Sequence, residues 1–440
     1  MTKKLTTRFW LALTIFSLVG QIAWVIENMY LNVFIYKMFN ASAGDISLMV
    51  AASAVMAALT TLFAGVWSDK VGKRKIFMTA GYICWGVSIL FFALIRADIL
   101  SSYLSPAVSV MTVGISLVII MDCIMTFFGS TANDAAFNAW LTDASSGDKR
   151  GRAEGINAMM PLLAVLIVFG GFMSFDLSEA GSWSTIFIII GVCVIAIGIL
   201  GFFIVDDTPV PKEKRQRFRD IFYGFYPSVV KENTSLYITL AAFAFFGISI
   251  QIFMPYLILY YTEYLGLENY VMIMAPAILL ASVVTAVYGK VYDKKGFRPA
   301  IIPTIVVLMV GYVTLYSFTE TVAVLLGSFL MMTGFLTGMA VFGAMIRDNI
   351  PENKAGVFQG PRICGQVLIP GVVGPYIGSV VLKGAEMVTN DDGTKTFVPN
   401  QNIFLAALVA TLLVWLVLFP LFKKIAGGAK GKLKKENEDA

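Results

Sequence analysis

The sequence contains no histidine, the side chain whose charge changes most readily near neutral pH and a frequent zinc ligand. This absence excludes a histidine-based zinc site and a histidine proton relay, so carboxyl groups remain as the proton carriers. Charge of either sign is also scarce, because Asp, Glu, Lys and Arg make up only 14% of the 440 residues. A chain so poor in charge does not have the surface of a large soluble protein.

Cysteine is rare as well. The four cysteines all fall inside apolar stretches, so we expect no disulfide framework and small, apolar packing roles for Cys84, Cys123, Cys193 and Cys364. The sequence also lacks a phosphate-binding loop, a nucleophile constellation and a cluster of metal ligands. We therefore expect neither an enzyme nor an ATP-driven pump, and we expect no cofactor and no metal.

Long apolar runs, in contrast, fill the chain, which is 58% hydrophobic with a mean hydropathy of +0.79. Roughly 20 helical residues cross the hydrocarbon core of a bilayer, which is about 30 Å thick. The first run is too long for the apolar core of a signal peptide and lacks its cleavage motif, so it is expected to stay as a true span. The prediction is an all-α membrane protein with twelve transmembrane helices, numbered span 1 to span 12, at approximately 9–36, 46–67, 76–95, 107–142, 153–175, 184–205, 236–262, 269–289, 300–318, 322–346, 355–382 and 402–422.

Basic residues collect on one side of these predicted spans, together with both chain termini. The positive-inside rule then predicts a multi-pass protein of the cytoplasmic membrane with both termini in the cytoplasm. The basic tail, residues 424–440, either only helps to set this topology or also touches anionic membrane lipid. No separate basic soluble domain exists, so nucleic acid is not an expected partner.

The two halves of the chain share a loop pattern, G-x-x-x-D-x-x-G-x-R/K. It reads GVWSDKVGKRK after span 2 and GKVYDKKGFRP after span 8, about half the chain apart. This repeat predicts two pseudo-symmetric six-helix bundles, at residues 1–205 and 236–423. A polar cytoplasmic linker, residues 206–235, joins them.

Charges inside predicted spans are costly and are functional hypotheses by default. Asp134 lies nine residues before the end of span 4, about 13 Å into the membrane at helical rise. Arg362 in span 11 reaches a similar depth of about 12 Å, so the two predict an ion pair between the halves. Glu27 in span 1 is a third candidate, while Asp122 is a secondary one.

Amide, hydroxyl and aromatic side chains recur at helical spacing near these charges. Asn and Gln offer donors and acceptors and Trp offers a flat apolar face, which suits a hydroxyl-rich ligand such as a sugar. The alternative is hydrogen bonding between helices. The predicted substrate-binding residues are Gln21, Trp24, Asn28, Asn32, Thr131, Asn138, Asn157, Gln251, Tyr256, Gln359 and Gln366.

The repeated loop resembles motif A of the major facilitator superfamily, and it occurs at both places where that superfamily has it. The resemblance implies the major facilitator fold, alternating access and a conformational latch formed by Gly65, Asp69, Gly72, Arg74, Asp293, Gly296 and Arg298. Within the superfamily, Asp134 with Phe137 and Arg362 are similar to residues of the melibiose-carrier-like glycoside, pentoside and hexuronide:cation symporters. Sodium-using members of that group carry acidic residues in span 2, which are missing here, so the resemblance favours H+ over Na+ as the coupling ion.

These observations predict a monomeric secondary active transporter that moves a small polar solute, a sugar or glycoside, in symport with a cation. A proton-driven exporter of drugs or metabolites is an alternative, because Gly374, Pro375, Gly378 and Ser379 nearly reproduce an exporter motif, although in span 11 instead of span 5. A membrane sensor or lipid-binding protein without transport activity is a further alternative.

Overall fold

A computed structural model gives the structure of the protein and describes residues 6–145, 150–206, 218–267, 269–350, 358–389 and 393–438. Side chains are not described at 69, 150–151, 218–220 and 424–438. Within these ranges, twelve helices are long and apolar enough to cross a membrane, as predicted. They run Thr7–Phe39, Ala43–Ser68, Arg74–Phe92, Val110–Ala144, Arg152–Phe172, Ala180–Ile204, Thr234–Tyr264, Val271–Lys295, Phe297–Ser317, Thr321–Asn349, Gln359–Gly384 and Asn402–Lys423.

Smaller elements connect these spans. A short helix, Ala97–Tyr103, precedes span 4, and the central linker contains a 3-10 helix, Phe218–Phe225, and a helix, Pro227–Glu232. Two antiparallel strands, β1 (Met387–Thr389) and β2 (Lys395–Phe397), form a hairpin between spans 11 and 12. The last helix continues beyond the membrane to Glu438. Contact of the tail's side chains with lipid lies outside the described residues.

Four spans contain π-helical segments, in which each turn takes in an extra residue. The segments are Ile26–Tyr30 in span 1, Ser130–Phe137 in span 4, Tyr260–Tyr264 in span 7 and Cys364–Leu368 in span 11. Such segments occur often at functional sites, because they displace side chains and loosen backbone hydrogen bonds. The predicted coupling residue Asp134 lies in the second segment, and Glu27 lies in the first.

Small residues set the distance between packed spans. Spans 3 and 6 approach so closely that a Cβ on Gly86 would lie 2.6 Å from the carbonyl oxygen of Gly191. A Cβ on Gly198 would lie 2.8 Å from the backbone nitrogen of Ile83. Membrane helices often associate through small residues of this kind, because close backbone approach increases van der Waals contact.

The chain forms two compact units that are not continuous in sequence. The first contains Met1–Phe218, Met254–Val271 and Ser379–Asn400, and the second contains Arg219–Phe253, Met272–Gly378 and Gln401–Ala440. The predicted domain bounds, by comparison, divide the chain only once, at the linker, and they stay a prediction. Residues 207–217 of that linker lie outside the described residues.

Inside the first unit, the end of span 7 and the hairpin are bound to spans 1 and 2. Lys37 and Glu263 form an ion pair of 2.7 Å, and the Tyr256 hydroxyl donates to the Ala43 carbonyl at 2.9 Å. The Tyr36 hydroxyl donates to the carbonyl of Phe397 in β2 at 2.6 Å. These bonds explain why short segments from the second half of the sequence belong to the first unit.

Candidate functional site

Asp134 lies half-buried in the π-helical segment of span 4, where its carboxylate accepts a hydrogen bond of 3.0 Å from Ser130. A regular helical spacing of 100° per residue would align Thr131, Asp134 and Asn138 in one polar stripe, but the π-helix breaks that spacing. Thr131 carries a buried hydroxyl for which the described part of the chain offers no partner, while Asn138 is exposed. The stripe is therefore not one continuous face.

Three predicted amide ligands use one N–H on the backbone of their own helix. Asn138 donates to the Asp134 carbonyl at 3.2 Å, Asn28 to the Trp24 carbonyl at 2.8 Å, and Asn32 to the Asn28 carbonyl at 2.8 Å. Each bond spans four residues beside or within a π-helical segment, so these amides stabilise loosened backbone. The fully buried Asn32 keeps an amide oxygen that accepts no hydrogen bond from any described residue.

A buried hydrogen-bond network next to Asp134 was not predicted from the sequence. The Trp24 ring N–H donates to Asn133 Oδ1 at 3.4 Å, and Asn133 Nδ2 donates to the Tyr82 hydroxyl at 2.7 Å. Tyr82 in turn donates to the Phe16 carbonyl at 2.7 Å. The network holds Trp24 in place on span 1, and the adjacency of Asn133 to Asp134 was the signal that could have found it.

Glu27 is buried in a second polar cluster, with only 6% of its surface exposed. Ser53 on span 2 and Thr126 on span 4 both lie 2.8 Å from its Oε1 atom. Asp122 is 2% exposed and interacts with Ser53 and Glu27. From the sequence, Asp122 was a weaker candidate than Asp134. In the structure Asp122 lies close to Glu27, because both side chains point toward span 2.

Other predicted substrate residues of the first unit lie in different surroundings. Gln21 is half-buried on span 1, and Asn157 accepts a hydrogen bond from Ser17, which links span 5 to span 1. The Tyr256 hydroxyl is buried and bonded to the Ala43 carbonyl at 2.9 Å. That bond is a structural one between helices, which was the alternative reading for polar residues in spans.

The remaining predicted residues belong to the second unit. Arg362 is half-buried, and its Nε donates to Gln366 at 3.4 Å, one turn further along span 11. Gln359 is half-buried one turn before it. Gln251 lies where Gly374 lets span 11 approach span 7, since a Cβ on Gly374 would meet the Gln251 Cβ at 2.4 Å. Asp134 and Arg362 lie in different units, and their pairing stays a prediction.

The first loop of the repeat is built around a buried arginine. Gly72 ends the helix of span 2 with φ of 73°, a left-handed conformation that glycine adopts without steric cost. Arg74 then turns inward, where Nη1 donates to Ser68 at 2.7 Å and Nε to Asp143 at 3.2 Å. The side chain of Asp69 lies outside the described residues, while a Cβ on Gly65 would meet no atom within 4 Å.

The second loop also has a glycine with positive φ, but its ψ of −175° differs from the 17° of Gly72, so the backbone turn is a different one. Gly296 has φ of 79°, and Arg298 lies over the Phe422 ring at 5.4 Å. Asp293 is exposed, and its neighbour Tyr292 donates to Asp348. The repeat therefore keeps a glycine with positive φ in both halves, whereas the backbone turn and the partner of the arginine differ between the copies.

Comparison with known proteins agrees with this architecture. The twelve apolar helices of the described ranges indicate a multi-pass membrane protein. The sequence matches the family model described as Major Facilitator Superfamily over residues 9–375, so the chain belongs to that superfamily. The predicted fold class is thereby confirmed. Comparison with curated proteins gave no match.

Solved structures with the same fold are distant in sequence. A mutant of the nucleoside transporter NupG matches with a TM-score of 0.71 and 11% identity, covering 94% of this chain and 99% of that one. The xylose transporter XylE from E. coli, in a partially occluded inward-open form, gives 0.66 and 12%, covering 93% and 98%. A bacterial homologue of the human lysosomal transporter Spinster gives 0.70 and 14%, covering 94% and 96%. At these identities the likeness establishes the fold alone.

Proposed function

We propose that the protein is a secondary active transporter of a small polar solute, a sugar, glycoside or related compound, in symport with a proton. The observation that carries the proposal is the buried polar network that joins Trp24 to Asn133, the residue that precedes Asp134. An amphipathic ring next to amides and a carboxylate is suited to a ligand with many hydroxyl groups.

The solved relatives in fold support the same substrate class. One is titled a nucleoside transporter and another a D-xylose-proton symporter, which matches with a TM-score of 0.68 and 14% identity. A nucleoside carries a pentose, so both solutes present sugar hydroxyl groups. The proposed subgroup, the melibiose-carrier-like symporters, also handles glycosides, pentosides and hexuronides.

The proposed mechanism is alternating access, in which the substrate site faces one side of the membrane at a time. The coupling groups are Asp134, Arg362 and Glu27, and protonation of Asp134 releases Arg362 and changes the affinity for the solute. The two glycine turns, with Arg74 held by Ser68 and Asp143, form the latch that favours one state. The basic loops and both termini face the cytoplasm, and the protein lies in the cytoplasmic membrane.

A ligand screen on the purified protein tests the substrate class. Thermal unfolding is measured with a panel of monosaccharides, glycosides and nucleosides at two pH values, with and without sodium. A true substrate raises the unfolding temperature, because it binds the folded state. Substrate-dependent counterflow in proteoliposomes then separates a transporter from a sensor, and the direction of proton-driven flux separates uptake from export.

A matched pair of tryptophan variants sharpens the screen. Trp24→Phe keeps an aromatic face but loses the N–H that donates to Asn133, so solute affinity is expected to fall about two- to tenfold. Trp67→Phe is the control, because Trp67 is 55% exposed and packs on Phe77. Equal affinity of the two variants for the stabilising solute would remove Trp24 from the site.

A further inference from the structure

Spans 1, 2 and 4 enclose a group of oxygen atoms that we name the acid cluster, formed by Glu27, Ser53, Asp122 and Thr126. Ser53 Oγ and Thr126 Oγ1 each lie 2.8 Å from Glu27 Oε1, and 2.8 Å from each other. Thr126 Oγ1 also lies 2.8 Å from the carbonyl oxygen of Asp122. Both acids are more than nine-tenths buried.

The cluster holds two acids without a counter-charge. Among the residues that the structure describes, no lysine or arginine forms an ion pair with either carboxyl. The titratable groups that face Glu27 and Asp122 are Cys123 and Asp134, and Tyr82 faces Asp134 in turn. Two ionised carboxylates in such a place would repel each other and lose their hydration. The cluster is therefore short of positive charge.

The number of hydroxyl protons in the acid cluster shows where an added proton would bind. Four oxygen–oxygen contacts of 2.8 Å, the usual O–H···O length, join the cluster, but the two hydroxyls supply only two protons. If Glu27 is protonated, it donates to Ser53, Ser53 donates to Thr126, and Thr126 donates to the Asp122 carbonyl. One added proton thus turns three of the four contacts into hydrogen bonds.

A second observation points to the same ligand. Glu27 Oε2 and Asp122 Oδ1 are buried and accept no hydrogen bond from any residue in the described ranges. An ionised carboxylate oxygen left in this way loses its hydration without compensation, whereas a protonated carboxyl loses far less. The π-helical segment Ile26–Tyr30 contains Glu27, and displaced side chains of this kind are frequent at functional sites.

We propose that the acid cluster is a second proton-binding site, in addition to Asp134, and that Glu27 and Asp122 share the proton bound there. This inference rests on the proposed function for the direction of its flux. The proton enters from water on one side, bonds to a carboxylate oxygen, and leaves to water on the other side, so the chain returns unchanged. When it leaves, Ser53 and Thr126 turn their hydroxyls to the ionised Glu27, which changes the contacts between spans 1, 2 and 4.

Infrared spectroscopy on the full chain in lipid tests the site without any substrate. The stretching band of protonated carboxyl groups is followed while the pH rises from about 5 to about 9. The wild-type protein is expected to lose the band of one more carboxyl group per molecule than a variant that keeps Asp134 but lacks the acid cluster. The double variant Glu27→Gln with Asp122→Asn is expected to lack that additional change, and a full wild-type change in this variant would overturn the proposal.

Two further variants guard against effects of misfolding. Thr126→Val keeps both carboxyls and the shape of the side chain, so it is expected to keep the amplitude but shift the band frequency; an unshifted band would contradict the hydrogen-bond chain. Asp98→Asn is the control. Arg96 lies 2.8 Å from Asp98 and holds the pKa of that exposed carboxyl below its usual range, so it stays ionised throughout the titration.

A sodium substitution and an uptake assay provide two further tests of the proposal. Replacing choline by sodium is expected to leave the wild-type band change intact, and its abolition by sodium would overturn the proton assignment in favour of a sodium site. Uptake of the stabilising solute into proteoliposomes is then compared at two pH values, where the double variant is expected to show a weaker pH dependence than the wild type. Absence of all uptake with an intact wild-type band would refute the proposed function and leave the proton site standing.

Discussion

A methyl group at position 20 would test the network that holds Trp24. Gly20 lies on span 1, and a Cβ there would lie 2.2 Å from Asn133 Nδ2 and 2.5 Å from the Tyr82 hydroxyl. Neither atom can easily move away, because Asn133 donates to Tyr82 and Tyr82 donates to the Phe16 carbonyl, each at 2.7 Å. Gly20→Ala therefore forces a choice between overpacking and a broken hydrogen bond.

The magnitude follows from these two terms. Overpacking a well-packed interior costs about 1–3 kcal/mol. Loss of one buried hydrogen bond adds about 1 kcal/mol. Replacing glycine by alanine within a helix returns up to about 1 kcal/mol of intrinsic preference. We expect Gly20→Ala to destabilise the protein by about 1–3 kcal/mol and to weaken solute binding as Trp24 shifts.

The matched control is Gly170→Ala in span 5, where a Cβ would meet no atom within 4 Å. This variant has the same intrinsic helix gain without the clash, so its stability is expected to equal or slightly exceed that of the wild type. Thermal unfolding in one detergent compares the three proteins. If Gly20→Ala unfolds at the same temperature as Gly170→Ala, the close approach of span 1 to Asn133 is refuted.

Two other contacts make predictions. Arg74→Gln leaves Asp143 without the guanidinium 3.2 Å away and frees Ser68, so we expect a stability loss of about 3 kcal/mol and a changed transport rate, measured by thermal unfolding and counterflow. The double variant Arg74→Asp with Asp143→Arg, in which the two charges are exchanged, should recover part of that loss of stability. Lys37→Met breaks the partly exposed ion pair with Glu263 and should lower the stability by no more than about 1 kcal/mol. Maleimide labelling of a cysteine placed next to Glu263 should become faster in this variant. Unchanged labelling would mean that this pair does not hold the end of span 7.

The number of spans was predictable because length and hydropathy alone decide which helices can cross a bilayer. The predicted first span, 9–36, and the observed helix Thr7–Phe39 differ by only a few residues at each end. The loop repeat also placed a glycine at the same position in each half, and Gly72 and Gly296 both adopt positive φ. These features depend on local composition, which a single sequence carries.

The surroundings of the acids were harder to predict. A regular helical spacing groups Asp134 with Asn138, but the π-helix Ser130–Phe137 alters the face on which each residue lies. The same spacing separates Asp122 from Asp134, and says nothing of its approach to Glu27 in another span. Nothing in a pattern of one helix reports which neighbouring helix a side chain will meet, so the acid cluster needed tertiary structure.

The hairpin after span 11 has a consequence for experiments that select one state of the transporter. β2 is held to span 1 by the Tyr36 hydroxyl, and Asn40 donates to Thr394 beside it at 2.8 Å. The hairpin and the end of span 1 thus form a single folded epitope that exists only while these bonds do. An antibody fragment selected against this joint surface would hold the hairpin and the end of span 1 together during imaging. Dissociation of the fragment would show that the hairpin and span 1 had separated.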